Sequence, residues 1–147
     1  MLIMIVDDED AVLNLLREVL QSRGYDVVSA RNGREALDRL KHVTVNLVVS
    51  DIYMPMMDGI RLHEEIRKDA RLKHLPFLFI SGYDDKYTAG AVRDSRIEAF
   101  WRKGDKVEMF NKWVDYLVQP PDKKSKLRPD GVELPPFVEP REENDRR

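Results

Sequence analysis

The chain has 147 residues, of which 42% are hydrophobic and 35% charged, enough apolar material for one folded domain but not for two. Its 25 basic and 27 acidic side chains nearly balance, so composition gives no support for direct nucleic-acid binding. The lack of cysteine excludes disulfides, thiolate metal sites and cysteine nucleophiles, and favours a cytoplasmic location. No apolar run reaches the about 18 residues of a membrane helix, so no membrane insertion is expected.

Short apolar segments alternate along the chain with amphipathic segments, which predicts repeated strand–helix units. Strands such as Phe77–Ile80 are apolar on both faces, which is typical of a parallel sheet covered by helices on both sides. We therefore expect a doubly wound α/β domain with a five-stranded parallel sheet and five flanking helices. In chain order, the predicted elements are strand Leu2–Val6, helix Ala11–Arg23, strand Tyr25–Ala30, helix Arg34–Lys41, strand Val45–Ser50, helix Asp58–Lys68, strand Pro76–Ile80, helix Lys86–Asp94, strand Glu98–Arg102 and helix Asp105–Val118.

The composition changes near residue 119. Six of the eight prolines and 14 charged residues lie in residues 120–147. Such a segment is too polar and too rich in proline to form a core of its own. We therefore divide the chain into a domain at 1–119 and a tail or linker at 120–147, which we expect to be extended or disordered, or to dock through its apolar residues Val132, Leu134, Phe137 and Val138.

Polar side chains follow four of the predicted strands. Asp7 and Asp8 follow the first strand, Asp51 the third, Ser81 the fourth and Lys103 the fifth. Because ligands of open parallel sheets bind beyond the carboxyl ends of the strands, we expect these groups to meet at one edge. Such carboxylates suit a hard divalent cation, Mg²⁺ above all, and supply a nucleophile for phosphoryl transfer.

The segment from Asp51 to Gly59, DIYMPMMDG, resembles the phosphoacceptor loop of response-regulator receiver domains, the family that includes the single-domain chemotaxis regulators. The acidic pair at Asp7 and Asp8, the hydroxyl of Ser81 and the cation of Lys103 resemble that family's other site positions. The resemblance extends from residue 1 to about 118. It implies the flavodoxin-like strand order 2-1-3-4-5.

The resemblance also implies a role for each residue. Asp51 would accept a phosphoryl group from a sensor histidine kinase or a phosphotransfer protein, in a Mg²⁺-dependent reaction. Lys103 and Ser81 would contact the phosphoryl oxygens. The implied Mg²⁺ ligands are Asp8, Asp51 and the backbone carbonyl of Tyr53, with Asp7 acting through a bound water.

The resemblance further implies a switch. Ser81 would be drawn toward the phosphoryl group while Phe100 rotates inward, which would change affinity for a downstream protein at the face of the fourth helix, fifth strand and fifth helix. Tyr53 and Tyr83 stand where the family more often has smaller or polar side chains, and we expect them to shield the phosphoryl group from water. Gly104 replaces the family's usual proline, so we expect a trans peptide after Lys103.

Several other functions compete with this interpretation. An aspartate-based phosphatase needs a second acid two residues after Asp51, where Tyr53 stands, so we expect no turnover enzyme beyond slow self-dephosphorylation. The glycines form neither a dinucleotide fingerprint nor a P-loop. Two alternatives stay open: a receiver domain excised from a hybrid kinase or multidomain regulator, and a pseudo-receiver that binds partners without phosphorylation.

Overall fold

The computed structural model describes residues 1–124 and 128–131. Strands and helices alternate throughout, as the apolar segments predict, and none of the helices in this part of the chain is long and apolar enough to cross a membrane. The elements are β1 (Leu2–Val6), α1 (Asp10–Ser22), β2 (Asp26–Ala30), α2 (Gly33–Leu40), β3 (Leu47–Asp51), α3 (Gly59–Lys68), β4 (Phe77–Ser81), α4 (Lys86–Ala89), β5 (Glu98–Arg102), α5 (Val107–Leu117) and a 3₁₀ turn at Pro121–Lys123.

The five strands form one parallel sheet in the order β2-β1-β3-β4-β5. The predicted fold class and strand order are therefore confirmed. The strand order reverses between β1 and β3. A crevice therefore lies at the carboxyl edge of the sheet, between the chain segments that follow these two strands. Asp51 is the last residue of β3 and pairs in register with Ile80 of β4.

Alternate residues of each strand face opposite sides of the sheet, and each side has its own core. Ile3 and Ile5 of β1 pack in the core beneath α1 and α5. Met4 and Val6 pack in the other core, with residues of α2 and α3. Because both faces are covered, every residue of β3 and β4 is buried, which explains their mostly apolar sequences.

The fourth helix is shorter than predicted. The sequence predicts Lys86–Asp94, but α4 ends at Ala89, with Gly90 as its C-cap. The backbone amides of Arg93 and Asp94 donate to the side chain of Glu98, at 2.8 and 3.0 Å, instead of to carbonyls one helical turn back. Glycine is about 1 kcal/mol less favourable than alanine inside a helix. The buried carboxylate of Glu98 then binds the amides of the residues that follow, which holds them in a loop.

The other element boundaries lie within two residues of the predicted ones. The fifth helix begins at Val107 instead of Asp105, because the chain turns at Gly104, whose φ is 96°. Asp58 is the N-cap of α3, accepting from the Arg61 amide, as its sequence position favours. No peptide bond among the described residues is cis, so the bond between Lys103 and Gly104 is trans, as expected.

Part of the tail contacts the domain. The ammonium group of Lys124 donates to the carbonyl of Arg96 at 2.9 Å and lies over the Tyr116 ring. Arg128 is buried, and its guanidinium lies 4.9 Å from the centre of the Trp113 ring. These contacts involve Lys124 and Arg128 alone, and the expectation of an extended, disordered or docked tail stays a prediction. The proposed docking residues Val132, Leu134, Phe137 and Val138 lie outside the described residues, and the division at residue 119 stays a prediction.

Candidate functional site

Three carboxylates meet at the carboxyl edge of the sheet. Asp7 and Asp8 directly follow β1, and Asp51 ends the neighbouring strand β3. One oxygen from each of the three side chains lies within 4.8 Å of the others. Asp7 and Asp51 are buried, whereas Asp8 is exposed. Two carboxylates of the cluster are therefore buried and one is open to solvent, and the three meet at the sheet edge where the sequence predicts them.

Lys103 supplies the cation of this cluster. It follows β5 directly, and its amide donates to the Ser81 carbonyl at 2.9 Å, which fixes the chain beside β4. Its Nζ lies 2.7 Å from Oδ2 of Asp7 and 3.3 Å from Oδ2 of Asp51. One ammonium group therefore neutralises part of the charge of two buried carboxylates. Lys103 lies at the sheet edge where the sequence predicts it, although glycine and not proline follows it.

Burial and charge act in opposite directions on the ionisation of this cluster. Burial, together with the negative charge of Asp7, raises the pKa of Asp51 to about 6, although Lys103 and the Ile52 amide oppose the shift. Burial by itself would lower the pKa of Lys103, but the hydrogen bond to Asp7 and the charges of Asp51 and Asp7 raise it. Lys103 therefore stays charged near neutral pH, while Asp51 is ionised but easily protonated by mild acid.

The carboxylates could hold a hard divalent cation. The Oδ1 of Asp7 accepts from the Glu9 amide at 2.9 Å, and its Oδ2 lies 2.7 Å from Lys103 Nζ, so each oxygen has one partner and keeps a further lone pair. A buried carboxylate oxygen with unused lone pairs, beside a second buried carboxylate and an exposed one, matches the all-oxygen, partly hydrated coordination of Mg²⁺. The donor set therefore fits the metal that the sequence predicts.

The loop between β3 and α3 is held tightly against Asp51. The Gly59 amide donates to the Ile52 carbonyl at 2.7 Å, and a Cβ atom at Gly59 would lie 2.1 Å from the Asp51 carbonyl oxygen. Only glycine permits that approach. Within the same loop, Met56 has a φ of 70°, a backbone conformation that costs a non-glycine residue roughly 1–2 kcal/mol.

Ser81 and Phe100, the two residues of the predicted switch, lie on the neighbouring strands β4 and β5. Ser81 ends β4, is fully buried, and its Oγ accepts from the Tyr83 amide at 3.1 Å. Phe100 lies on β5, is half-buried, and packs against the core beneath α2 and α3. The hydroxyl is thus at the same sheet edge as Asp51, and the ring is neither fully buried nor free in solvent.

The two tyrosines predicted to shield the site contact each other. The rings of Tyr53 and Tyr83 are 5.4 Å apart, edge to face, and the two side chains are 38% and 65% exposed. Tyr87 of α4 joins them, with its ring 5.8 Å from that of Tyr53. The hydroxyl of Tyr53 donates to Asp85, and that of Tyr87 donates to Asp58 at 2.6 Å. The sequence predicts the position of Tyr53 and Tyr83, but not these hydroxyl partners.

A buried ion-pair cluster at the opposite edge of the sheet was not predicted. His63 and Arg67 of α3 both contact the carboxylate of Glu98, the first residue of β5. Burial alone would raise the pKa of Glu98, but hydrogen bonds from His63 and from the backbone amides of Asp94 and Arg93 lower it to about 2. A glutamate at the start of an otherwise apolar strand is the one sequence signal for this cluster.

Comparison with known proteins agrees with this geometry. Residues 3–112 match the family model described as the response regulator receiver domain. Among characterised relatives, the polar-differentiation response regulator DivK of Brucella anthropi is 29% identical over 108 residues, which are 74% of this chain and 88% of DivK.

Solved structures show the same fold. The receiver domain of a signal transduction histidine kinase from Syntrophus aciditrophicus superposes with a TM-score of 0.72 at 27% identity, covering 80% of this chain and 89% of that one. The response regulator TrrA of Thermotoga maritima, solved in complex with Mg²⁺-BeF, has a TM-score of 0.68 at 30% identity, covering 79% and 97%. With the family model spanning most of its length and the site at the expected sheet edge, this chain belongs to the response regulator receiver domain family.

Proposed function

We propose that Asp51 is the phosphoacceptor of this receiver domain and that its phosphorylation controls binding of a downstream protein. The observation that carries the proposal is the placement of Lys103 Nζ between Asp7 and Asp51, beside three carboxylates whose oxygens lie within 4.8 Å. A carboxylate oxygen of Asp51 forms the P–O bond as the P–N bond of the donor phosphohistidine breaks. The protein's part is alignment and charge neutralisation.

Access and charge favour Asp51 over its two neighbours as the nucleophile. Both oxygens of Asp7 are engaged, one by the Glu9 amide and one by Lys103 at 2.7 Å, and its side chain is fully buried. Asp8 is exposed and lies outside this ion pair. The Oδ2 of Asp51 is 3.3 Å from Lys103, in a side chain that is still 7% exposed. An incoming phosphorus can therefore reach an Asp51 oxygen next to a cation.

Mg²⁺ is the cofactor that this donor set supports. Asp8, Asp51 and the backbone carbonyl of Tyr53 would hold it directly, and Asp7 would act through water. When bound, the metal supplies positive charge to the phosphoryl oxygens. Lys103 provides a second cation on the same group, and Ser81 a hydrogen-bond donor, so that the negative charge of the transferred group is met by residues of this chain.

The response to phosphorylation is a population shift through Ser81 and Phe100. For the Ser81 hydroxyl to reach a phosphoryl oxygen, its Oγ must leave the hydrogen bond from the Tyr83 amide. Phe100 is half-buried, so rotation inward would bury more of its ring. The surface that would change is the one formed by α4, β5 and α5, where we place the downstream protein target.

Partners and setting follow from the same proposal. The phosphoryl donor is a sensor histidine kinase or a phosphotransfer protein, and the protein acts in the cytoplasm without direct nucleic-acid binding.

Self-dephosphorylation is slow and is not turnover catalysis. The exposed rings of Tyr53 and Tyr83 hinder the attacking water, so replacing either with a small residue should speed hydrolysis. The relatives include both a response regulator and a receiver domain of a histidine kinase, and the stand-alone and excised alternatives both stay open.

Intact-mass analysis tests the proposal. Incubation with acetyl phosphate and Mg²⁺ should add one phosphoryl group to the wild-type chain and none to Asp51→Asn. The matched control is Asp38→Asn, an exposed carboxylate on α2 that should leave the modification intact. If Asp51→Asn gains the same mass as wild type, Asp51 is not the acceptor. If wild type gains none, the pseudo-receiver alternative replaces the proposal.

A further inference from the structure

Two tyrosines form crossed hydrogen bonds between the phosphoacceptor loop and the start of α4. Tyr53, two residues after Asp51, donates its hydroxyl to Asp85 at the N-cap of α4. Tyr87, within α4, donates its hydroxyl back to Asp58 at the N-cap of α3, at 2.6 Å. We call these two hydrogen bonds the crossed tyrosine pair. The loop donates one of these hydrogen bonds and α4 donates the other. The two segments therefore cannot separate without breaking both.

Each acceptor carboxylate of the crossed tyrosine pair also caps a helix. Asp85 accepts from the Thr88 amide at 3.0 Å through its other oxygen, and the Asp85 amide donates to Thr88 Oγ1 at 3.1 Å. Asp58 accepts the Arg61 amide at 2.8 Å through its other oxygen. The tyrosine hydroxyls thus hold the two carboxylates in their capping positions and link the beginnings of two helices.

α4 depends on such support. It has four residues and ends at Gly90, whereas isolated helices shorter than about 12–15 residues are marginal in water. The ring of Tyr87 lies 5.8 Å from that of Tyr53, which adds a tilted aromatic contact to the hydrogen bonds. With no long helical ladder of its own, α4 takes much of its order from the loop that follows β3.

The other end of the crossed tyrosine pair lies against the phosphoacceptor itself. Asp58 is followed by Gly59, whose amide donates to the Ile52 carbonyl at 2.7 Å and whose Cα approaches the Asp51 carbonyl too closely for any side chain. A displacement of Asp58 is therefore passed to the backbone of Asp51. Tyr53 adds a second connection, because its own backbone is part of the same loop.

We propose that Tyr53 and Tyr87 are positioning residues that couple the order of α4 to the geometry of the Asp51 loop. This rests on the proposed role of Asp51, and it extends that role by a route separate from Ser81 and Phe100. A change at Asp51 alters α4 through the two hydroxyl groups, and loosening of α4 releases the loop. Removing either hydroxyl weakens the coupling while leaving the ring in place.

Amide hydrogen exchange of α4 tests the coupling in the full chain. Without ligand, the amides of Thr88 and Ala89 should exchange about fivefold faster in Tyr53→Phe and in Tyr87→Phe than in wild type. That factor is the one expected for the loss of one hydrogen bond. Tyr83→Phe is the matched control: its ring contacts Tyr53, but among the described residues its hydroxyl has no hydrogen-bond partner. Its exchange should equal that of wild type.

The second arm adds Mg²⁺ and beryllofluoride as a phosphoryl analogue. In wild type, α4 exchange should change on binding, and in the Tyr53→Phe, Tyr87→Phe double variant this change should be lost while amides next to Asp51 still respond. Equal α4 exchange in all variants without ligand, or an undiminished α4 response in the double variant, overturns the proposal. If wild type binds no beryllofluoride, the role of Asp51 fails instead, and the ligand-free comparison still decides whether the crossed tyrosine pair orders α4.

Discussion

Replacing Gly59 with alanine should destabilise the protein at the phosphoacceptor loop. The new Cβ would lie 2.1 Å from the Asp51 carbonyl oxygen and 3.0 Å from the Ile52 Cα. Non-bonded contacts of carbon are optimal at about 3.5–4.0 Å, so α3 and β3 must separate by more than about 1 Å. The separation would also break the hydrogen bond from the Gly59 amide to the Ile52 carbonyl, which is 2.7 Å long.

The expected cost follows from these two effects. Overpacking of this kind costs about 1–3 kcal/mol, and a lost backbone hydrogen bond about 0.5–1.5 kcal/mol. The higher helix propensity of alanine offsets at most about 1 kcal/mol. We therefore expect the free energy of unfolding of Gly59→Ala to fall by about 2 kcal/mol.

Urea denaturation followed by circular dichroism measures this change. Gly90→Ala is the control, because a Cβ there would have nothing within 4 Å and its backbone φ is −94°. The free energy of unfolding of that variant should lie within about 0.5 kcal/mol of the wild-type value or be slightly higher. If Gly59→Ala and Gly90→Ala unfold at the same urea concentration, the close packing of α3 on Asp51 is not real.

Further predictions concern charge, metal and coupling. Because the pKa of folded Glu98 is lowered from 4.5 to about 2, the unfolded chain takes up its proton first, and about 3 kcal/mol of stability is lost as pH falls from 4.5 to about 2. Glu98→Gln should lack this dependence in acid-denaturation curves, and an unchanged acid limb would contradict the pairing. Asp8→Ala should lose most Mg²⁺ affinity by calorimetry, whereas wild-type affinity would remove Asp8 from the metal shell. Phosphorylated Ser81→Ala should lack the wild-type NMR shift changes in residues 86–118, and their retention would exclude coupling through this hydroxyl.

Much of the fold and site could be predicted because the signals are local or follow from topology. The doubly apolar sequences of β3 and β4 require cover on both faces, which leads to a parallel sheet with helices on each side. Once the strands are parallel, the acids that follow β1 and the acid that ends β3 must share an edge. Asp7, Asp51 and Lys103 therefore meet as predicted, although 96 residues separate the first from the last.

The features that could not be predicted depend on contacts between distant segments. Glu98 ends the fourth helix early by accepting amides from the chain that precedes it, and its pairing with His63 spans 35 residues. The hydroxyl partners of Tyr53 and Tyr87 depend on how two loops approach each other. No periodicity or spacing in one sequence reports such side-chain pairs.

The most direct test of the central claim is to locate the phosphoryl group. Protein phosphorylated by acetyl phosphate is reduced with borohydride, which converts an aspartyl phosphate to homoserine, and is then digested and analysed by mass spectrometry. We predict homoserine at position 51 and unmodified aspartate at Asp7 and Asp8. Homoserine at either of those two positions, with Asp51 unmodified in phosphorylated protein, would contradict the assignment of Asp51 as the phosphoacceptor.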